Sequence, residues 1–145
     1  MSKGHRSQEK KERNKTNKET RPHAYLRHVR VSDIKARVVL QEIIGKGVEE
    51  AQAILLYNPR YAAHLIKKLL DSAVANAENN MNLDPDNLVV QEAHATKGSA
   101  YYSRWRLRAR ARGSAHRIER KVSHISIFLN DRETVKKAAA KTKAR

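Results

Sequence analysis

Apolar residues recur at threes and fours between positions 32 and 80, then switch to short alternations after position 87. The first pattern predicts helices and the second predicts strands. Ser32-Asp33 reads as a helix N-cap. The helix it opens runs to about Ile44 and is expected to bury Ile34, Val38 and one or both of Val39 and Leu40. Gly45-Lys46-Gly47 ends it. A second helix covers Val48 to Tyr57, with Glu49 and Glu50 in the first turn, where the helix dipole favours acids, and Ala51, Ile54 and Leu55 facing inward. Asn58 as cap and Pro59 in the first turn open a third helix. Its Ala62, Ile66, Leu69, Leu70, Ala73 and Ala77 form an amphipathic stripe reaching about Asn79. Ahead of all three, His23 to Val31 reads as a short edge strand.

The change of period follows two turn signals, Asn79-Asn80-Met81-Asn82 and Asp84-Pro85-Asp86-Asn87. Leu88-Val89-Val90 and then Ile125, Ile127 and Leu129 read as strand ends packing on the helices. Residues 91–124 between them carry few large apolar groups. One hairpin over about 88–129, turning near Tyr102–Arg110, would have arms of about 20 residues, or on the order of 65 Å at ~3.3 Å per residue. A body of about 110 residues has a radius of gyration of only ~13 Å, so the hairpin must project from it. The expected fold class is α+β: three helices packed on a small antiparallel sheet, with a long projecting β-hairpin and basic disordered termini.

Within that hairpin, arginine stands at every second position: Arg104, Arg106, Arg108, Arg110 and Arg112. In a strand all five would line one side, with Trp105, Leu107, Ala109 and Ala111 on the other; in a helix they would scatter. A ribbon with one cationic face needs an anionic partner. Phosphate suits it, because the guanidinium fork binds phosphate bidentately and stacks on bases.

Charge along the 145 residues sharpens this. Lys and Arg number 31 against 15 Asp and Glu, a formal net charge of +16. Residues 1–22 carry +5, 23–96 carry −1, 97–121 carry +8, and 132–145 carry +5. A near-neutral body thus bears two basic tails and one basic internal segment, the footprint of a polyanion binder. Three divisions follow: a basic extension over 1–22, disordered in isolation because it has little apolar surface to bury; a domain over 23–131; and a basic tail over 132–145. There is no cysteine, so neither a disulfide framework nor a thiolate metal site is available. No apolar run approaches the roughly 20 residues that span a bilayer, and the N-terminus shows no apolar secretory region.

Other chemistry finds little footing. His94, His116 and His124 lack zinc-ligand spacing. Asp84 and Asp86 flank a proline in a turn, and nothing marks a nucleophile elbow or a phosphate-cradling glycine loop. The reading therefore assigns no catalytic residue, no metal and no cofactor. Tyr101, Tyr102 and Trp105 could stack on bases or pack across the hairpin.

Several stretches in order resemble the large-subunit ribosomal protein L-twenty-two family in its bacterial form. They are Ser32-Asp33-Ile34-Lys35-Ala36-Arg37-Val38-Val39, Ile43-Ile44-Gly45-Lys46-Gly47-Val48-Glu49-Glu50-Ala51, the run from Leu65 to Asn80, Arg104-Trp105-Arg106, Arg110-Ala111-Arg112-Gly113 and Lys121-Val122-Ser123-His124-Ile125. Together they cover about Ala24 to Arg132. The resemblance implies a cytoplasmic, non-enzymatic ribosomal protein that binds large-subunit rRNA early in assembly. It also implies a hairpin lining the polypeptide exit tunnel, with neighbouring ribosomal proteins and the nascent polypeptide as further partners. Carried onto this chain, the tip falls at about Tyr101 to Arg110, including Tyr102, Ser103 and Trp105. Where the family usually has Gly-Pro at the start of the tip, this chain has Gly98-Ser99.

The expected RNA contacts are Arg104, Arg106, Arg108, Arg110, Arg112, Arg117, Arg120, Lys121 and His124. Two competing readings are a DNA-architectural protein with a β-ribbon in a groove, which would want an apolar or proline wedge at the tip, and a nucleic-acid-processing enzyme.

Overall fold

A computed structural model describes residues 10–13, 21–99 and 104–132. Three strands build the central sheet in the order β1 (His23–Val29), β5 (Ser123–Asp131), β2 (Leu88–Lys97), all antiparallel. Helices α1 (Asp33–Ile43), α2 (Val48–Tyr57) and α3 (Tyr61–Met81) cover one face: α1 lies over β2, α3 over β1 and β5, and α2 packs on α3. A second, two-stranded sheet pairs β3 (Arg104–Ala109) with β4 (Ala115–Arg120). This is the expected α+β plan.

β5 is the central strand and shows why. Ser123, Ile125, Ile127 and Leu129 alternate with half-buried residues and are all buried, the last three within the core shared with the helices. On α3 the expected stripe holds: Ala62, Ile66, Leu69, Leu70, Ala73 and Ala77 are all buried, joined by Ala63 and Val74. The alanines let the helix axis approach the sheet closely. The core closes with Leu40, Ile43, Leu55, Leu88 and Val90.

Three expectations need correction. Ile34 and Val38 are not core residues; they are 59% and 39% exposed. α1 buries Ala36, Val39, Leu40 and Ile43 instead. Those four fall at i, i+3, i+4 and i+7, while Ile34 and Val38 lie on the opposite side of the cylinder at 100° per residue. Second, Asn58 does not cap α3. It is the C-cap of α2, its Oδ1 accepts the Arg60 N–H at 3.1 Å, and α3 begins at Tyr61 with Arg60 as N-cap. Pro59 therefore lies in the connection rather than the first turn. At its other end α3 extends to Met81 and stops on left-handed Asn82. Third, the lower half of the long hairpin does not project: β2 and β5 belong to the body sheet, and only the part beyond Gly98 and Val122 leaves it.

The edges of the sheet are tied down. Gly45 adopts φ +82 after α1, which only glycine tolerates without cost, and its N–H donates to Val90 O at 2.8 Å. Val90 N–H returns a bond to Lys46 O at 3.0 Å, so this loop covers the β2 edge. On the N-terminal side, Pro22 is buried and its carbonyl accepts the Leu129 N–H at 2.8 Å. Arg21 bonds Glu92 at 2.9 Å and Gln91 at 3.1 Å, with its guanidinium over the Phe128 ring. Chain packing on the body thus already includes residues 21 and 22.

Candidate nucleic-acid interface

The arm grows out of the most buried strand. β5 continues backwards through Val122 and Lys121 into β4, and the β2–β5 ladder is handed across by Gly98 N–H to Val122 O at 2.7 Å. Gly98 is needed there for space: a Cβ would sit 3.0 Å from the Val122 carbonyl oxygen. Every residue from Trp105 to Lys121 is exposed, so little burial on the body holds the ribbon flat.

Register decides which side chains share a face. Arg104 pairs with Arg120, Arg106 with Ile118, and Arg108 with His116; Arg110 N–H then donates to Ser114 O at 2.8 Å. Directly opposed residues lie on one face. That face therefore carries positions 104, 106, 108 and 110, with Arg120 across from the first. Beyond the first rung, the residues facing the arginines are Ile118, His116 and Ser114, which limits direct repulsion between opposed cations.

The reverse face holds Trp105, Leu107 and Ala109 opposite Glu119, Arg117 and Ala115. Arg117 lies on this face. Its guanidinium carbon stands 4.5 Å from the Trp105 ring centroid, a cation–π stack. Glu119 lies within 3.6 Å of Lys97 Nζ. The ribbon thus has one cationic face and one mixed face.

The turn lies later than expected. Arg110 to Ser114 close the hairpin through a 3₁₀ turn at Ala111–Gly113, with Arg112 at φ +58 and Gly113 at φ +72. The Ser114 hydroxyl donates to Ala111 O at 2.8 Å. Arg112 consequently leaves the alternation, which ends at Arg110. Trp105 is one rung from the base of the arm rather than at its tip. Tyr101, Tyr102 and Ser103 lie outside the described residues, as does the side chain of Arg104 and most of both tails.

His124 lies on β5 in the body sheet. Its Nδ1 accepts the His28 N–H at 3.2 Å and its ring meets the His28 ring edge-on at 4.7 Å. His28 is left-handed at φ +58, where the β1–β5 register shifts. His94 contacts Glu92 at 3.4 Å, while His116 sits on the arm. The Arg21 hydrogen bond first, then the one from His94, hold the Glu92 carboxyl below the usual carboxylate range.

Where the arm leaves the body, Arg106, Arg120 and Lys121 line an open cleft of about 940 Å³ together with Arg30, Lys35 and Arg60. These last three escaped sequence reasoning. Each is an ordinary surface cation in its own segment, and only the fold brings the three segments together.

A family model described as Ribosomal protein L22p/L17e matches residues 24–130. The "Large ribosomal subunit protein uL22" of Lachnospira eligens is 53% identical over 132 residues, covering 91% of this chain and 100% of that protein. The protein of the same name from Agathobacter rectalis is 53% identical over 135 residues, with 91% and 100% covered. That from Acetivibrio thermocellus is 48% identical over 109 residues, with 75% and 85% covered.

Proposed function

This chain belongs to the ribosomal protein L22p/L17e family and is a structural constituent of the large ribosomal subunit, where, we propose, its arm binds large-subunit rRNA. The family is structural, and the chain is a cytoplasmic ribosomal protein rather than an enzyme. The single observation that carries the rRNA reading is the ribbon with alternate arginines on one face, at exposed positions. Arg106, Arg108 and Arg110 neutralise phosphates and release counterions, while the body fixes where the ribbon enters the RNA. Arg112 at the turn and Arg120 and Lys121 at the base extend the contact to both ends. In the subunit the arm supports assembly by tying RNA segments together. Its turn at Arg110–Ser114 faces the exit tunnel, with the nascent polypeptide and neighbouring ribosomal proteins as partners.

The test is a salt titration. Full-length protein carrying Arg106→Gln, Arg108→Gln and Arg110→Gln should bind large-subunit rRNA with a slope of log K against log salt shallower by about 2–3. An unchanged slope refutes the arm as the phosphate-binding element. The tunnel assignment is checked separately. Because the chain has no cysteine, Ala111→Cys gives one unique attachment point for a photocrosslinker. Crosslinks to nascent chains in translating ribosomes are expected, and crosslinks to rRNA alone would place the turn elsewhere. The DNA-architectural reading draws no support from the turn, whose Arg-Ala-Arg-Gly-Ser sequence offers no apolar wedge.

A further inference from the structure

The cleft at the base of the arm has a composition that phosphate binding alone does not explain. Six cations line it: Arg30, Lys35, Arg60, Arg106, Arg120 and Lys121. The one acid among its lining residues, Glu119, is within 3.6 Å of Lys97, and Arg60 is paired with Glu42 at 2.7 Å. The rest of the lining is largely apolar and includes Val38 on α1 and Tyr61 on the first turn of α3. Val38 is 39% exposed and Tyr61 67% exposed, although each belongs to a helix whose other side is well buried.

An RNA duplex presents phosphates and 2′-hydroxyls and keeps its bases stacked inside, so it would use the cations and leave the apolar surface wet. An unpaired nucleotide uses both, because its base offers an aromatic face and its flanking phosphates offer charge. The cleft volume of about 940 Å³ lies in the range of sites that take a small molecule or a single large group.

We propose that this cleft seats one unpaired nucleotide of the bound RNA, its base against Tyr61 and Val38 and its phosphates on the cationic rim. The proposal rests on the rRNA-binding reading above and deepens it: the arm supplies salt-dependent affinity, and the cleft selects a single-stranded kink. Tyr61 is the stacking residue, and Arg60, Lys35 and Lys121 hold the strand on either side.

Full-length protein tests this with three probes: large-subunit rRNA, a ten-nucleotide single-stranded oligo(A), and a blunt RNA duplex of the same length. Tyr61→Ala should weaken oligo(A) and rRNA binding about five- to 150-fold, the equivalent of about 1–3 kcal/mol of base–aromatic stacking, with the salt slope unchanged. Tyr61→Phe should restore affinity to within about twofold, since it keeps the ring. Duplex binding should be unaffected by either change. Oligo(A) binding unchanged in Tyr61→Ala overturns the proposal, and so does an equal loss for the duplex. A photocrosslinker at position 61 that captures a ribosomal protein instead of RNA overturns it as well. Should Tyr61→Ala bind rRNA as well as the unsubstituted chain while the triple arginine variant does not, the cleft assignment fails and the arm assignment stands.

Discussion

Gly98→Ala tests how the arm is joined to the body. The added Cβ would lie 3.0 Å from the Val122 carbonyl oxygen, 3.1 Å from its carbonyl carbon and 3.1 Å from its Cγ1, 0.3–0.4 Å inside the 3.4 Å lower bound of ordinary contact. Two of those atoms are backbone. The carbonyl is also the acceptor of the 2.7 Å bond from Gly98 N–H, and Val122 is 3% exposed, so the strand has little room to move away. Relief requires opening that bond, worth about 1 kcal/mol net, or distorting the ladder, where overpacking costs about 1–3 kcal/mol. Chemical denaturation should show a loss of about 1–3 kcal/mol. RNA affinity should fall as well, with an unchanged salt slope, since no cation is lost. A Gly98→Ala protein within about 0.5 kcal/mol of the parent would refute the reasoning, because the strands would then have space that the geometry denies them.

Ser123 is fully buried, and its hydroxyl finds no hydrogen-bond partner among the described residues. Ser123→Ala should therefore be neutral or stabilising by about 1 kcal/mol in thermal denaturation; a clear loss would reveal an unseen partner. His124→Phe keeps a ring against His28 but removes the acceptor of its N–H, and should lower stability by about 0.5–1.5 kcal/mol in the same measurement. Arg21→Met should raise the Glu92 pKa toward the ordinary carboxylate value, readable by NMR titration, because the Arg21 hydrogen bond is the largest cause of its depression. A depressed carboxyl stabilises the fold above its unfolded pKa and loses that contribution as pH falls through the folded value. Parent and variant should thus differ most near neutrality, by less than about 1 kcal/mol since Glu92 is 41% exposed, and converge in acid.

What was legible in the sequence followed from periodicity that a single element satisfies alone. The α3 stripe from Ala62 to Ala77 holds position by position, and the Arg104–Arg110 alternation survives as one face of a ribbon. Ile34 and Val38 misled because i, i+4 spacing marks a stripe without saying which of two stripes meets the sheet. Ala36, small and unremarked, belongs to the buried one. The reversal falls at Arg112–Gly113, both at positive φ, rather than within Tyr102–Arg110. Asn58 carries a signal shared by helix starts and by the ends of preceding helices, and here it bonds Arg60 N–H in the connection while its Nδ2 donates to Glu42. The cleft had no local signal at all. Arg30, Lys35 and Arg60 lie far from Arg106 and Arg120 in sequence, and only the fold brings them together.

The placement of the arm on β5 explains how a ribbon with so little packing of its own can deliver charge to a defined place. A free two-stranded hairpin is marginal in water, and a run of arginines on one face makes it worse. Here the return strand is a continuation of the central strand of the sheet, whose alternate side chains are buried on the side covered by α1 and α3. The ladder reaches the arm through Gly98 and Val122, so the strand direction and face assignment of β4 are inherited from β5 rather than chosen by the ribbon. A one-residue slip would exchange the cationic face for the Trp105–Leu107 face. It would also break the β2–β5 pairing that aligns Ile125 with Ala95 and Ile127 with Ala93 inside the core. Hydrophobic burial in the body therefore fixes which way the arginines point in the arm. The neutral body is the part that gives the charged part its address.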